Sequence, residues 1–171
     1  MAGEIQIIDE VIAQHKIIRA NLQNVQTSLT DFDALFSLQK AQAAWVQTSV
    51  DKLREQKRHF QDTLTRVQTG VEGHFTWEER VLPPLFGDAF TRALIFIHNE
   101  IRRQIEKTIS VADSANVEGL SQAETLEQKS LLQEATDKTN QMVEEHAGLE
   151  EQMLMMLKKT FQAEVTLSKP L

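Results

Sequence analysis

Apolar side chains recur at alternating steps of three and four residues along almost the whole chain, and no segment alternates with the two-residue period of a strand. Ile8, Val11, Ile18, Leu22 and Val25 form one such stripe, and Phe60, Leu64, Val67, Val71, Val81 and Leu85 form a second. Leu94, Ile101 and Ile105 form a third, and Leu132, Ala135, Met142, Leu149, Met153 and Leu157 a fourth. With six Gly and three Pro in 171 residues, there are few places to interrupt a helix. The pattern predicts an all-α chain of four main helices, over about 4–27, up to about 82, about 89–111 and about 121–162. A break is expected near 28–33, where Thr30 and Asp31 are suited to cap a new start, and residues 33–47 read as an extra short helix or as the start of the second main one. Pro83 and Pro84 end the second helix, because a proline lacks the N–H and pushes the preceding residue out of the α region. Ser121-Gln-Ala-Glu124 is a capping-box pattern that opens the fourth. Four amphipathic helices with short connections favour one antiparallel, up-down-up-down four-helix bundle of about residues 4–160, with 161–171 as a loose tail.

Composition removes several kinds of chemistry. There is no Cys, hence no disulfide, thiolate zinc site, iron–sulfur cluster or cysteine nucleophile, and no Tyr to act as a phenolic acid or radical. The formal net charge of −7 argues against nucleic-acid binding, which wants a basic face. The charge is concentrated: residues 113–151 carry ten acidic and two basic side chains, read mainly as a solvated face. The amino terminus lacks a basic region followed by an apolar block, and no stretch approaches the roughly 18 apolar residues of a membrane span, so a cytoplasmic protein is the expectation. No Gly-rich phosphate loop or serine triad pattern is present.

Four of the five His interrupt the stripes, one on each helix: His15, His74, His98 and His146. Glu78 and Glu150 do the same, each four residues after a His, a spacing that puts both side chains on one helix face. The chain also matches itself. His15-Lys-Ile-Ile-Arg19 corresponds to His98-Asn-Glu-Ile-Arg102, and His74-Phe-Thr-Trp-Glu-Glu79 to His146-Ala-Gly-Leu-Glu-Glu151. A bundle built on this repeat brings four imidazoles and two carboxylates together near a pseudo-two-fold axis. Burying them is costly unless they are paired or coordinated. Two divalent cations are the economical neutraliser, with iron or manganese suited to imidazole and bridging carboxylate, and zinc able to fill the same ligands.

The motif His74-Phe-Thr-Trp-Glu-Glu-Arg-Val-Leu-Pro-Pro-Leu85, its repeat and the order of helices resemble hemerythrin-like proteins, the HHE cation-binding domains, over about residues 4–160. Ferritin-like bundles use Glu-x-x-His instead, and no Glu stands three residues before any of these four His. The resemblance implies an oxo- or hydroxo-bridged di-iron centre spanned by Glu78 and Glu150, with His15 and His74 on one iron and His98 and His146 on the other. Glu151 is the alternative last ligand, since oxygen-carrying hemerythrins place that carboxylate five residues after its His. The repeat favours Glu150, as does its position about 40° from His146 around the helix rather than about 140°. Oxygen carriers also have a fifth His four residues after the third, where this chain has Arg102. The ligand set of four His and two Glu weakens the reading as a reversible oxygen-storage protein. It strengthens handling of dioxygen, peroxide or nitric oxide, as in a di-iron oxidoreductase, or sensing of iron or oxygen. A metal-free helical interaction module is the remaining class.

Other residues receive plainer readings. His59 lies about 22 Å along the helix from His74 and reads as a solvated residue. Arg19 and Arg102 read as solvated or snorkelling side chains beside the stripe, with charge neutralisation near the site as the alternative. Trp77 reads as a packing residue. Met142, Met153, Met155 and Met156 read as core, or as the lining of a channel for a small apolar gas.

Overall fold

The structure, a computed structural model, describes residues 2–41, 47–116 and 122–167. Helix α1 spans Ala2–Ala41, α2 Gln47–Val81, α3 Pro83–Ser114 and α4 Gln122–Leu167. There is no strand among the described residues. Each helix packs on its neighbours in sequence, and α1 also packs on α4, which closes the ring. Side-chain pairs fix the directions. Asp9 meets Lys158 and Arg19 meets Glu144, while Asp33 meets Lys129, so rising numbers on α1 meet falling numbers on α4. Arg102 with Glu72 and Lys57 with the carbonyl of Asp113 set α2 against α3 in the same way. Thr108 with Thr139 and Asn116 N–H with Gln128 do so for α3 and α4. The chain is an antiparallel four-helix bundle. No described helix is long and apolar enough to cross a membrane.

The stripes become the core. On α1 every residue from Ile8 to Val25 in the sequence pattern is buried, and on α2 Phe60, Leu64, Val67 and Val71 are buried with them. The core has two parts. A large apolar cluster runs from Ile18, Phe75, Ile101 and Val143 to Leu29, Leu53, Ala112 and Leu132. A small one holds Ile8, Val11, Leu82, Leu94 and Leu154. Between them, on all four helices, lie the polar residues singled out above.

Several helix ends differ from the sequence expectation. No break occurs at 28–33: α1 runs through it to Ala41. The hydroxyls of Thr27 and Thr30 donate to the carbonyls of Gln23 and Gln26 in their own helix rather than capping a new one, and Ser28 and Leu29 are buried. Residues 33–41 therefore belong to α1 and form no separate helix, while 42–46 lie outside the described residues. The two prolines end α2 and also open α3, since the first helical turn needs no N–H from them. The turn is completed by Gly87, whose φ of 78° and ψ of 176° interrupt α3 just before the expected start of the third helix. That region of backbone space is open essentially to Gly alone. Ser121 of the proposed capping box lies outside the described residues. The expected loose tail is helical to Leu167, where Phe161 packs against the small cluster. Leu149, assigned to the fourth stripe, is 61% exposed, and the buried line on α4 is instead Leu132, Ala135, Val143, Ala147 and Leu154.

Candidate metal centre

The polar layer is as deeply buried as the apolar ones. His15, His74, His98, His146, Glu78 and Glu150 are each no more than 6% exposed. All six converge, and ligand atoms of His15, Glu78, His146 and Glu150 lie within 4.8 Å of one another. Glu78 sits at the centre with its two oxygens facing different imidazole pairs. Its Oε1 is 3.5 Å from His15 Nε2 and 2.9 Å from His74 Nε2. Its Oε2 is 3.4 Å from His98 Nε2 and 4.0 Å from His146 Nε2. Glu150 approaches from the other half of the repeat, with Oε2 3.4 Å from His15 Nε2 and 3.5 Å from His146 Nε2. The imidazoles of each pair are equally spaced: ring centroids are 4.8 Å apart in both His15–His74 and His98–His146.

These atoms are not satisfied by one another. Nε2 of His15 and of His74 and all four oxygens of Glu78 and Glu150 are buried without a hydrogen-bond partner. The 2.9 Å approach of His74 Nε2 to Glu78 Oε1 is close but lacks hydrogen-bond geometry. Buried polar atoms in folded proteins are nearly always paired, so a cluster of orphans of this kind asks for a partner. Imidazole nitrogens and carboxylate oxygens facing one centre are a donor set for a divalent cation.

A second layer turns the imidazoles inward. His15 Nδ1 lies 3.1 Å from Glu151 Oε1, and His98 Nδ1 2.9 Å from Glu79 Oε1. Each of these carboxylates is held by an arginine: Glu151 by Arg19 at 2.6 Å and Glu79 by Arg102 at 3.0 Å. The same arginines reach Glu144 and Glu72. His74 Nδ1 is 2.9 Å from Gln14 Oε1. An acceptor at Nδ1 fixes the tautomer that leaves the Nε2 lone pair pointing at the centre. Phe75 stacks on His98 with ring centroids 3.7 Å apart and planes 5° from parallel, and Arg102 lies over its ring.

The two Glu of each Glu-Glu pair thus divide the work: Glu78 and Glu150 face the centre, while Glu79 and Glu151 face outward. Glu151, the alternative ligand in sequence, sits behind His15. Arg19 and Arg102 are ion-paired clamps rather than solvated side chains, and each HxxIR helix clamps the Glu-Glu pair of the other half. Glu79 and Gln14 escaped the sequence reading. For Glu79 a signal existed, since it is the repeat mate of Glu151; Gln14 has no mate and gave none. His59 is exposed and far from the cluster, as expected. Trp77 packs against the small cluster and Met142 against the large one, but Met155 and Met156 are exposed, which removes them from core and channel lining alike.

Without a metal the charges of the layer are set by burial and by one another. Burial would raise the Glu78 carboxyl, but the imidazoles of His15, His74 and His98 outweigh it and hold Glu78 well below the usual carboxylate range. Burial opposes a charge on His15, yet the facing carboxylates of Glu150 and Glu78 push it up to about 9. Burial pushes Glu150 up to about 7, against the pull of His15. His146 is pushed down to about 3 by burial and by the neighbouring charge on His98. A cation entering the centre takes over the charge that protons otherwise balance.

The fold and the centre define a class: a four-helix bundle with a buried His and carboxylate cation site. The family model described as the hemerythrin HHE cation-binding domain matches residues 6–157. The chain belongs to that family. Comparison with curated proteins and with solved structures gave no match.

Proposed function

We propose that the protein holds two iron ions, His15 and His74 on one and His98 and His146 on the other, bridged by Glu78 and Glu150. The observation that carries this reading is the division of Glu78, with Oε1 facing one imidazole pair and Oε2 the other. A single ion held by His15, Glu78, His146 and Glu150 would leave the buried imidazoles of His74 and His98 outside its ligand set. Bound iron supplies one-electron redox chemistry and open coordination positions for dioxygen, peroxide or nitric oxide. The chain supplies the rest. The two apolar clusters exclude water from either side, Glu79, Glu151 and Gln14 orient the imidazoles, and the paired arginines hold the outer carboxylates in place.

Arg102 favours turnover or sensing over reversible oxygen storage. It stands one turn beyond His98 and is committed to Glu72 and Glu79, so it gives the centre no further nitrogen ligand. The test is to load the protein with ferrous iron under anaerobic conditions and mix it separately with peroxide, and with dioxygen and nitric oxide in the presence of excess electron donor. Consumption of the small molecule over several turnovers is expected with at least one of them. A long-lived oxygen adduct that releases dioxygen unchanged on evacuation would overturn this reading in favour of storage.

A further inference from the structure

The two halves of the repeat correspond in sequence at the ligands and at the outer carboxylates, but they differ at the position just before the first His of each half. Aligning His15 with His98 sets Gln14 opposite Ile97. On the first half Gln14 Nε2 donates to Glu10 Oε1 at 3.0 Å. A carboxylate only accepts, so this contact fixes the amide and leaves Gln14 Oε1 as the acceptor for His74 Nδ1 at 2.9 Å. His74 is therefore locked with its proton on Nδ1 and its lone pair at the centre. On the second half the equivalent side chain is aliphatic. Ile97 has nothing with which to accept a proton, and His146 Nδ1 has no hydrogen-bond partner among the described residues. Three of the four imidazoles are oriented from behind, and the fourth is not. The same side of the bundle is more open: Ile97 is 39% and Leu149 61% exposed, and His146 is the most exposed of the six.

An acceptor behind a ligating imidazole raises its basicity and removes the freedom to rotate or change tautomer, and its loss costs about 10–100-fold in metal affinity. Resting on the reading of two ions above, we propose that the two metal positions are unequal by construction: Gln14 is a positioning residue that makes the His15–His74 position the tight one, and Ile97 leaves the His98–His146 position as the exchangeable one. The protein then retains one ion while the other loads and leaves with the supply of metal.

The experiment is an anaerobic titration of the metal-free protein with cobalt(II), followed through the cobalt absorption bands, on the wild type, Gln14→Leu, Gln14→Glu and Ile97→Gln. The wild type is expected to bind two ions in steps about tenfold or more apart. Gln14→Leu should weaken the tighter step by about 10–100-fold and leave the weaker one, while Gln14→Glu, which keeps an acceptor, should retain the tight step. Ile97→Gln should tighten the weaker step and narrow the gap. Unfolding midpoints of the metal-free variants verify that each still folds. Two equal steps in the wild type would overturn the inequality while leaving the two-ion reading intact. Equal weakening of both steps by Gln14→Leu would overturn the role of Gln14. Binding of a single ion or none would instead defeat the two-ion reading on which the proposal stands.

Discussion

The layer around Phe60 and Leu64 and the layer around Glu78 are buried to the same depth, at 1%, 2% and 0% exposure, and both are built by the same three-and-four spacing. They differ in what burial achieves. In the apolar layer each large side chain removed from water stabilises the fold by about 1.5–3 kcal/mol, whatever else is bound. In the polar layer four carboxylate oxygens and two imidazole nitrogens are buried without a partner, so burial there is a cost until something neutralises it. One layer makes the bundle and the other uses it. The apolar clusters above and below let the bundle carry a centre that would not hold itself together.

Removing one residue from each layer should break this symmetry of position most sharply. Glu78→Ala takes away the only carboxylate among the described residues within reach of all four imidazoles. Its expected result is loss of metal affinity beyond the roughly hundredfold that a supporting residue would cost, measured by metal analysis after anaerobic loading. The metal-free form of that variant should unfold at nearly the same denaturant concentration as the metal-free wild type, or higher. Phe60→Ala is expected to do the reverse. It should cost about 3–5 kcal/mol in denaturant unfolding, equally with and without metal, while leaving the number of ions bound unchanged.

A smaller effect is expected at the supporting carboxylates. Glu79→Leu and Glu151→Leu should each lower metal affinity by about 10–100-fold, with little change in the stability of the metal-free protein. Equal loss of stability and affinity would mean that these residues belong with the apolar layer, as scaffold, rather than with the centre.

The smallest effect is a difference in sign. In the metal-free protein His15 titrates near 9, above its ordinary 6.5, so its contribution is complete below pH 6.5 and is lost as pH rises through 9. Glu150, raised from 4.5 to about 7, likewise favours the folded state less as pH rises through 7. Stability without metal should therefore fall between pH 6.5 and 9. Loaded protein should show the opposite trend over that window, because metal binding requires those protons to leave. Urea midpoints at several pH values, with and without metal, measure both slopes.

The same comparison explains what was legible in the sequence. Periodicity reports which positions face inward, so the four helices, the buried line on α1 and the six converging residues could be read directly, because each polar residue occupied a position reserved for an apolar one. Periodicity says little about where a helix stops. Thr30 and Asp31 carry a capping pattern, but the buried Ser28 and Leu29 and the Thr hydroxyls bonding back to Gln23 and Gln26 keep α1 continuous. The supporting layer was less visible for a different reason. Glu79, Glu151, Arg19 and Arg102 lie at the margin of the stripe, where a local pattern cannot tell a solvated charge from one paired across 23 or 132 residues of chain. The repeat held that information only in combination, since each arginine serves the other half. Gln14 could not be seen at all, because it precedes the repeated motif and its counterpart in the other half is Ile97.

The central claim is that the polar layer exists to hold cations. The most direct test is metal content per chain of protein purified without chelator and reloaded anaerobically with ferrous iron. The account predicts about two ions per chain, with release of protons on loading. Fewer than about one ion per chain, in a protein that remains helical and unfolds cooperatively, would contradict it.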